Sequence, residues 1–331
     1  VDIFLQQIIN GLTLGSIYAL VALGYTMVYG IIGLINFAHG EVVMIGAMIA
    51  LSVVTGLLGA HVPLPPLAII VAGLAVAVPI CMGVAYAMEK IAYRPLRKAP
   101  RLAPLITAIG MSIVLQNVAM LIWGRNYLNF PNIIQPRPIE FWGATITDLQ
   151  IVIIVMAALI MAGLVLLVQK TRLGMAMRAT AQNPTVAGLM GIDINTVISA
   201  AFMIGAALAA VAGLMVMSYY GIAHYYMGFL LGLKAFTAAV LGGIGNLTGA
   251  MLGGILLGLI EALGAGYIGD VSNICAFPWL TDTLVQKCAA NEGVLSLFGS
   301  NYQDVFAFMV LIMVLIFRPS GLLGERVGDR A

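Results

Sequence analysis

Nine apolar runs follow one another along the chain, at 3–29, 42–58, 67–88, 103–123, 151–168, 197–217, 227–241, 249–267 and 305–317. Most come close to the roughly 20 residues that a helix needs to cross the hydrocarbon core of a bilayer. None alternates apolar and polar positions as strands of a membrane barrel do. The pattern predicts an all-α, polytopic integral membrane bundle of eight to ten transmembrane helices, some of them broken or re-entrant. The first run exceeds what a bilayer requires, so it is expected to tilt or to break near Gly24, Gly30 or Gly33. No basic residue precedes it and it outlasts the apolar core of a signal peptide, so it reads as a retained span.

The polar connections orient the bundle. Lys90, Arg94, Arg97, Lys98 and Arg101 crowd the third connection, Lys170, Arg172 and Arg178 the fifth, and Arg318, Arg326 and Arg330 the tail. Alternate connections hold only Arg125 and Arg137, then Lys287. Basic residues mark the cytoplasmic side, which puts the N-terminus outside, the C-terminus inside and segment 170–196 in the cytoplasm.

Composition agrees with the pattern. The 331 residues are 62% hydrophobic and 8% charged, against about 25% charged in a soluble domain. No connection is long enough for a soluble catalytic domain, and the whole of 1–331 reads as one membrane domain. Small residues recur at helical spacing, as in Gly205, Ala209 and Gly213, Gly249 and Gly253, and Gly254 and Gly258. Such faces let helices approach closely, inside one bundle or between subunits.

Segment 178–191, RATAQNPTVAGLMG, builds a miniature helix. Asn183 can cap its free amides, Pro184 has no amide to lose, and Gly191 can close it in the left-handed conformation. Ala187, Gly188 and Leu189 give it a small, smooth surface. Two readings stand: an ordinary interfacial loop helix, or a rigid peg that docks in a groove on another protein.

Ionisable groups at bilayer depth usually face protein or water. In INFAHGE, 35–41, His39 and Glu41 sit where the first run gives way to the second. They form either an interfacial turn, with Glu41 opening the next helix, or the ends of a broken helix lining a permeation path. Lys234 and Glu261 form either a structural ion pair or a gate. Three histidines and three cysteines show no metal-ligand spacing. Basic residues are not interleaved with aromatics as a nucleic-acid surface needs. The nearest approach to a phosphate-cradling loop, Gln169-Lys170-Thr171, lacks the glycine before its lysine. If transport is ATP-driven, the engine is on another polypeptide.

Four stretches together are similar to a known family: GLTLGSIYALVALGYTMVYGIIGLINFAHGEV at 11–42, RATAQNPTVAGLMGI at 178–192, KAFTAAVLGGIGNLTGAMLGG at 234–254 and RPSGLLG at 318–324. They resemble the LivH-type permeases of branched-chain amino acid (LIV-type) ABC importers. The resemblance implies the LIV-type permease fold in a bacterial inner membrane and a second permease subunit, related or identical. It also implies two ABC ATPase subunits and an extracytoplasmic amino-acid-binding protein. ATP and Mg would belong to the ATPases, with no cofactor on this chain. Arg178, Asn183, Pro184, Ala187, Gly188 and Gly191 would couple to the ATPase, and Asn36, His39, Glu41, Lys234 and Glu261 are candidates for the translocation path. Segment 269–304 is longer than the family pattern and carries Cys275 and Cys288, bridged or free, while Cys81 reads as a small buried apolar residue. The competing readings are a urea or short-chain amide permease of the same superfamily, a stand-alone secondary transporter, and a membrane enzyme.

Overall fold

The first apolar run does not break within its length. The computed structural model describes residues 2–97, 99, 100, 102–131, 133, 137–141, 143–271 and 302–324. In it, α1 (Asp2–Ile32) continues to Gly33, whose φ of 64° ends the helix. Of the three glycines at which a break was expected, it is the last that acts. The chain then turns back along α1, and α2 (His39–Gly59) starts beside Gly24, about two turns before α1 ends. His39 and Glu41 therefore open a helix inside the bundle, not at its rim.

The remaining helices are α3 (Pro66–Met88), α4 (Leu102–Trp123), α5 (Asp148–Lys170), α6 (Arg172–Gln182), α7 (Pro184–Leu189), α8 (Ile194–Tyr220), α9 (Met227–Gly242), α10 (Leu247–Val271) and α11 (Gln303–Phe317). A π-helical turn, Glu89–Tyr93, and a 3-10 turn, Arg94–Leu96, extend α3. The widening precedes Pro95, whose ring would press on the carbonyl four residues back in a regular helix. Among the described residues, seven helices are long and apolar enough to cross a membrane, while α9 and α11 are shorter apolar helices. Each expected run thus falls on a helix, and the two shortest runs, at 227–241 and 305–317, are the two short helices.

The helices form two like units of opposite direction. α1, α2 and α3 correspond to α8, α9 and α10: α1 packs on α10 as α8 packs on α3, and α2 lies against α8 as α9 lies against α1. Each unit has a break after its first helix, at 33–38 and 221–226, and the two breaks meet where Gly40 of α2 abuts Gly228 of α9. Inverted repeats joined at discontinuous helices are a transporter construction. The small-residue faces read from the sequence all turn inward within this chain: Gly205 to Gly24, Gly213 to Val43 and Ala47, Gly254 to Ala19, and Gly258 to Gly15.

Ile17, Leu20 and Leu23 of α1, Met44 and Met48 of α2 and Met217 of α8 are fully buried at the centre. The outer helices α4, α5 and α11 expose Ile106, Leu121, Leu159, Ile312 and Ile316, side chains suited to lipid. Two small sheets cover one end. β1 (Leu128–Asn129) pairs antiparallel with β4 (Ile222–Ala223), and β2 (Pro138–Phe141) forms a hairpin with β3 (Ala144–Thr147) in the register Phe141↔Ala144. Thr147 then caps α5 in a reciprocal capping box with Gln150. The other end carries Lys90, Arg94, Arg97, Arg178 and Arg318 and is the basic face.

Candidate functional site

Four features stand out, and the first is the junction of the two breaks. Glu41, in the first turn of α2, is fully buried. Its Oε1 accepts from Ser112 Oγ at 3.0 Å and Gln116 Nε2 at 2.7 Å, both on α4. Its Oε2 lies against Gly228 at the start of α9 and has no hydrogen-bond partner among the described residues. Two helix N-termini therefore face this carboxylate, an arrangement that favours negative charge. His39 packs on Gly24 and edge-on to Tyr25, ring centroids 4.8 Å apart. Asn36 is buried just before α2; its Oδ1 accepts from Ala38 N at 3.1 Å and from Tyr93 OH at 2.6 Å.

The second feature joins three helices. Lys234 Nζ of α9 donates to Glu261 Oε1 of α10 at 2.7 Å and stands 2.7 Å from Asp304 Oδ1 in the first turn of α11. Glu261 is buried, and Lys234 also lies over the Tyr18 ring at 5.8 Å from its centroid. The sequence had offered Lys234 and Glu261 as partners. Asp304 was missed, because its place at the edge of the last run disguised it as a loop residue.

The third is the miniature helix itself. Asn183 caps α7 by accepting from Val186 N at 3.1 Å. The helix closes at Met190 and at Gly191, whose φ is 85°, and Ile192 N bonds back to Ala187 O at 3.1 Å. α6 beneath it went unread; it buries Gly174, Met177 and Thr180 along one face, and Thr171 caps it through Gly174 N at 3.1 Å. The surface of α7 also differs from the expectation. Ala187 is buried and seats the helix, whereas Val186, Leu189 and Met190 are 51%, 82% and 79% exposed. The outward face is an apolar knob, not a smooth one.

Fourth, a cavity of ≈ 920 Å³ opens on the basic face, lined by Tyr29, Val165, Arg178, Val240, Asn246 and Ser320 among others. Arg178 reaches it while donating to Gln169 O at 3.2 Å. Asn36, His39, Glu41, Lys234 and Glu261 do not line it. Cys275 and Cys288 lie outside the described residues, and Cys81 is a buried free thiol.

Asp193, which caps α8, yields a pH prediction. Thr196 Oγ1 and Asn195 N donate to its carboxylate at 2.5 and 3.0 Å, and these bonds hold its pKa below the ordinary value. A depressed carboxyl stabilises the fold above its unfolded pKa, about 3.9, and loses that contribution as pH falls through the folded value. The difference in Tm between the wild type and Asp193→Asn is expected to be small at pH 7, since the group is exposed, and to shrink as pH falls below about 3.9, vanishing once pH lies below the folded value. A difference that grows on acidification contradicts the assignment.

A family model described as the permease component of branched-chain amino acid transport systems matches residues 7–315. The chain belongs to this family. Within it, the chain is 46% identical to the high-affinity branched-chain amino acid transport system permease protein BraD of Pseudomonas aeruginosa, over 97% of this chain and 96% of that one. It is 42% identical to LivH of Escherichia coli K12, again over 97% and 96%. A probable branched-chain amino acid transport permease of Methanocaldococcus jannaschii is 25% identical over 98% and 94%. No solved structure matches.

Proposed function

We propose that this permease passes branched-chain amino acids through the inner membrane as a subunit of an ABC importer, driven by separate ATPase subunits and fed by an extracytoplasmic binding protein. In this reading the basic face lies in the cytoplasm with the C-terminus, and the N-terminus and both small sheets face outside. A second permease subunit completes the pore. ATP and Mg act on the ATPases, since none of these 331 residues forms a Gly-Lys-Ser/Thr phosphate loop.

One observation carries the proposal: α7 is a capped, rigid helix whose exposed side chains Val186, Leu189 and Met190 form an apolar knob on the basic face. A helix of six residues has little stability of its own. Its cap and buried Ala187 are what fix the knob in place. The relatives' names favour amino acids over urea or amides, and in this reading substrate choice rests mainly with the binding protein.

Vesicles rebuilt from the full assembly test this. Labelled leucine is expected to accumulate with ATP and not without it, and labelled urea not at all. Replacing 183–190 with a Gly/Ser linker should leave the permease in the membrane and abolish substrate-stimulated ATP hydrolysis. Unchanged stimulation rejects the coupling role, and uphill uptake by the permease alone rejects the need for partners.

A further inference from the structure

The π-helical turn after α3, with Arg97 beyond it, makes polar contacts with both the first turn of α8 and the segment before α2. Glu89 is fully buried, and both its oxygens are engaged: Arg97 Nη2 bonds to Oε1, and Ser199 Oγ of α8 donates to Oε2 at 2.8 Å. Arg94 Nε stands 3.9 Å from Oε1. Arg97 Nη1 donates at 2.8 Å to Asn195 Oδ1 in the first turn of α8. One turn beyond Glu89, the buried Tyr93 donates through its hydroxyl to Asn36 Oδ1 at 2.6 Å. That oxygen and the Asn36 carbonyl also accept from Ala38 N and His39 N, at 3.1 and 3.0 Å, and so fix where α2 begins.

The other end of this chain of contacts is α7. Only 190–192 separate it from Asp193, the cap of α8; Ile192 N returns to Ala187 O, and Gly188 lies against Ile194. The peg and the first turn of α8 therefore move as one piece. From there to the start of α2 the links are hydrogen bonds, an ion pair and the backbone of the π-helical turn itself. Apolar contacts can slide; these cannot do so without breaking.

We propose that Glu89, Tyr93 and Arg97 are positioning residues: a polar strut that carries displacement of α7 to Asn36 and so moves the start of α2 at the junction of the two broken helices. This rests on the reading that α7 receives the ATPase stroke. A buried cluster that merely fastened the end of α3 would need Arg97 and Ser199 on Glu89. It would not need Tyr93 to reach the re-entrant segment. Coupling of this kind is established by an altered output, not by contiguity alone.

The test uses the complete assembly in vesicles and reads leucine uptake per ATP hydrolysed. Tyr93→Phe keeps the ring, whose centroid is 5.3 Å from that of Phe202, and removes one hydroxyl. Arg97→Lys keeps the charge and loses the two-pronged contact to Glu89 and Asn195. Both variants are expected to assemble and to retain substrate-stimulated ATP hydrolysis within about twofold, while uptake per ATP falls about fivefold to tenfold, the worth of one hydrogen bond in the path. Wild-type uptake per ATP in both variants overturns the strut, provided that the 183–190 replacement abolishes stimulation. If that replacement changes nothing, the coupling role of α7 fails instead. Failure of both variants to assemble assigns the cluster to folding alone, which also overturns the strut.

Discussion

Gly40→Val is expected to cost about 3 kcal/mol of stability and to abolish uptake. A side chain at residue 40 would meet the Gly228 carbonyl and would come within 2.8 Å of Gly232 Cα, and one at residue 228 would come within 2.8 Å of Glu41 Oε2. Carbon atoms in contact prefer about 3.5–4.0 Å. The obstacle at residue 40 is backbone, so no rotamer change relieves it; α2 and α9 must separate as whole helices. Overpacking usually costs about 1–3 kcal/mol, and an obstacle with no soft partner belongs at the top of that range. Separation would also disturb the Glu41 bonds to Ser112 and Gln116. The measurement is Tm in detergent, with uptake in vesicles beside it. Gly110→Ala on α4 and Gly163→Ala on α5, where nothing lies within 4 Å, serve as controls and should stay within about 0.5 kcal/mol. A Gly40→Val protein as stable as these controls removes the crossing from the account.

Much of this architecture was legible because a bilayer imposes one length and one polarity on every crossing. The apolar runs found their helices, and Asn183, Pro184 and Gly191 bounded α7 as their backbone chemistry requires. Periodicity does not report depth, however. The run at 227–241 looks like a crossing, yet α9 starts at the junction beside Gly40, because its partner is another broken helix. The inverted repeat was invisible for a related reason. Its two halves run in opposite directions and share contacts but not a readable motif, so only packing relates them.

The site was legible in residue types and not in partners. Glu41 was singled out as a costly charge, but nothing near it in sequence names Ser112 and Gln116, some seventy positions away. Glu89 was passed over altogether. Among five basic residues a single carboxylate reads as surface, whereas the π-helical turn buries it against α8. On α7, capping signals gave the ends of the helix but not its orientation. Burial of Ala187 turns Leu189 and Met190 outward, and that follows from the docking of α7 on its neighbours.

Lys234→Met should cost about 3–5 kcal/mol, the usual result of removing one partner of a buried ion pair. The loss arises less from the attraction forgone than from the carboxylates left behind. Glu261 is 1% exposed and would be left buried with no cation beside it, while Asp304 is 36% exposed and can turn to solvent. The two carboxylates therefore differ in consequence. Asp304→Asn is expected to be mild, near 1 kcal/mol, and Glu261→Gln intermediate, because it strands the lysine but leaves it Asp304. Combining Lys234→Met with Glu261→Gln should recover part of the single losses, with an interaction energy of about 1–2 kcal/mol. Chains that unfold within lipid find other partners for their polar groups, which keeps such energies toward the low end. Tm and denaturant midpoints of the four proteins in one detergent supply the cycle. Losses that simply add would mean that Lys234 and Glu261 hold α9 and α10 by packing alone. A double variant that is stable yet transports nothing would move the triad from the scaffold to the gate.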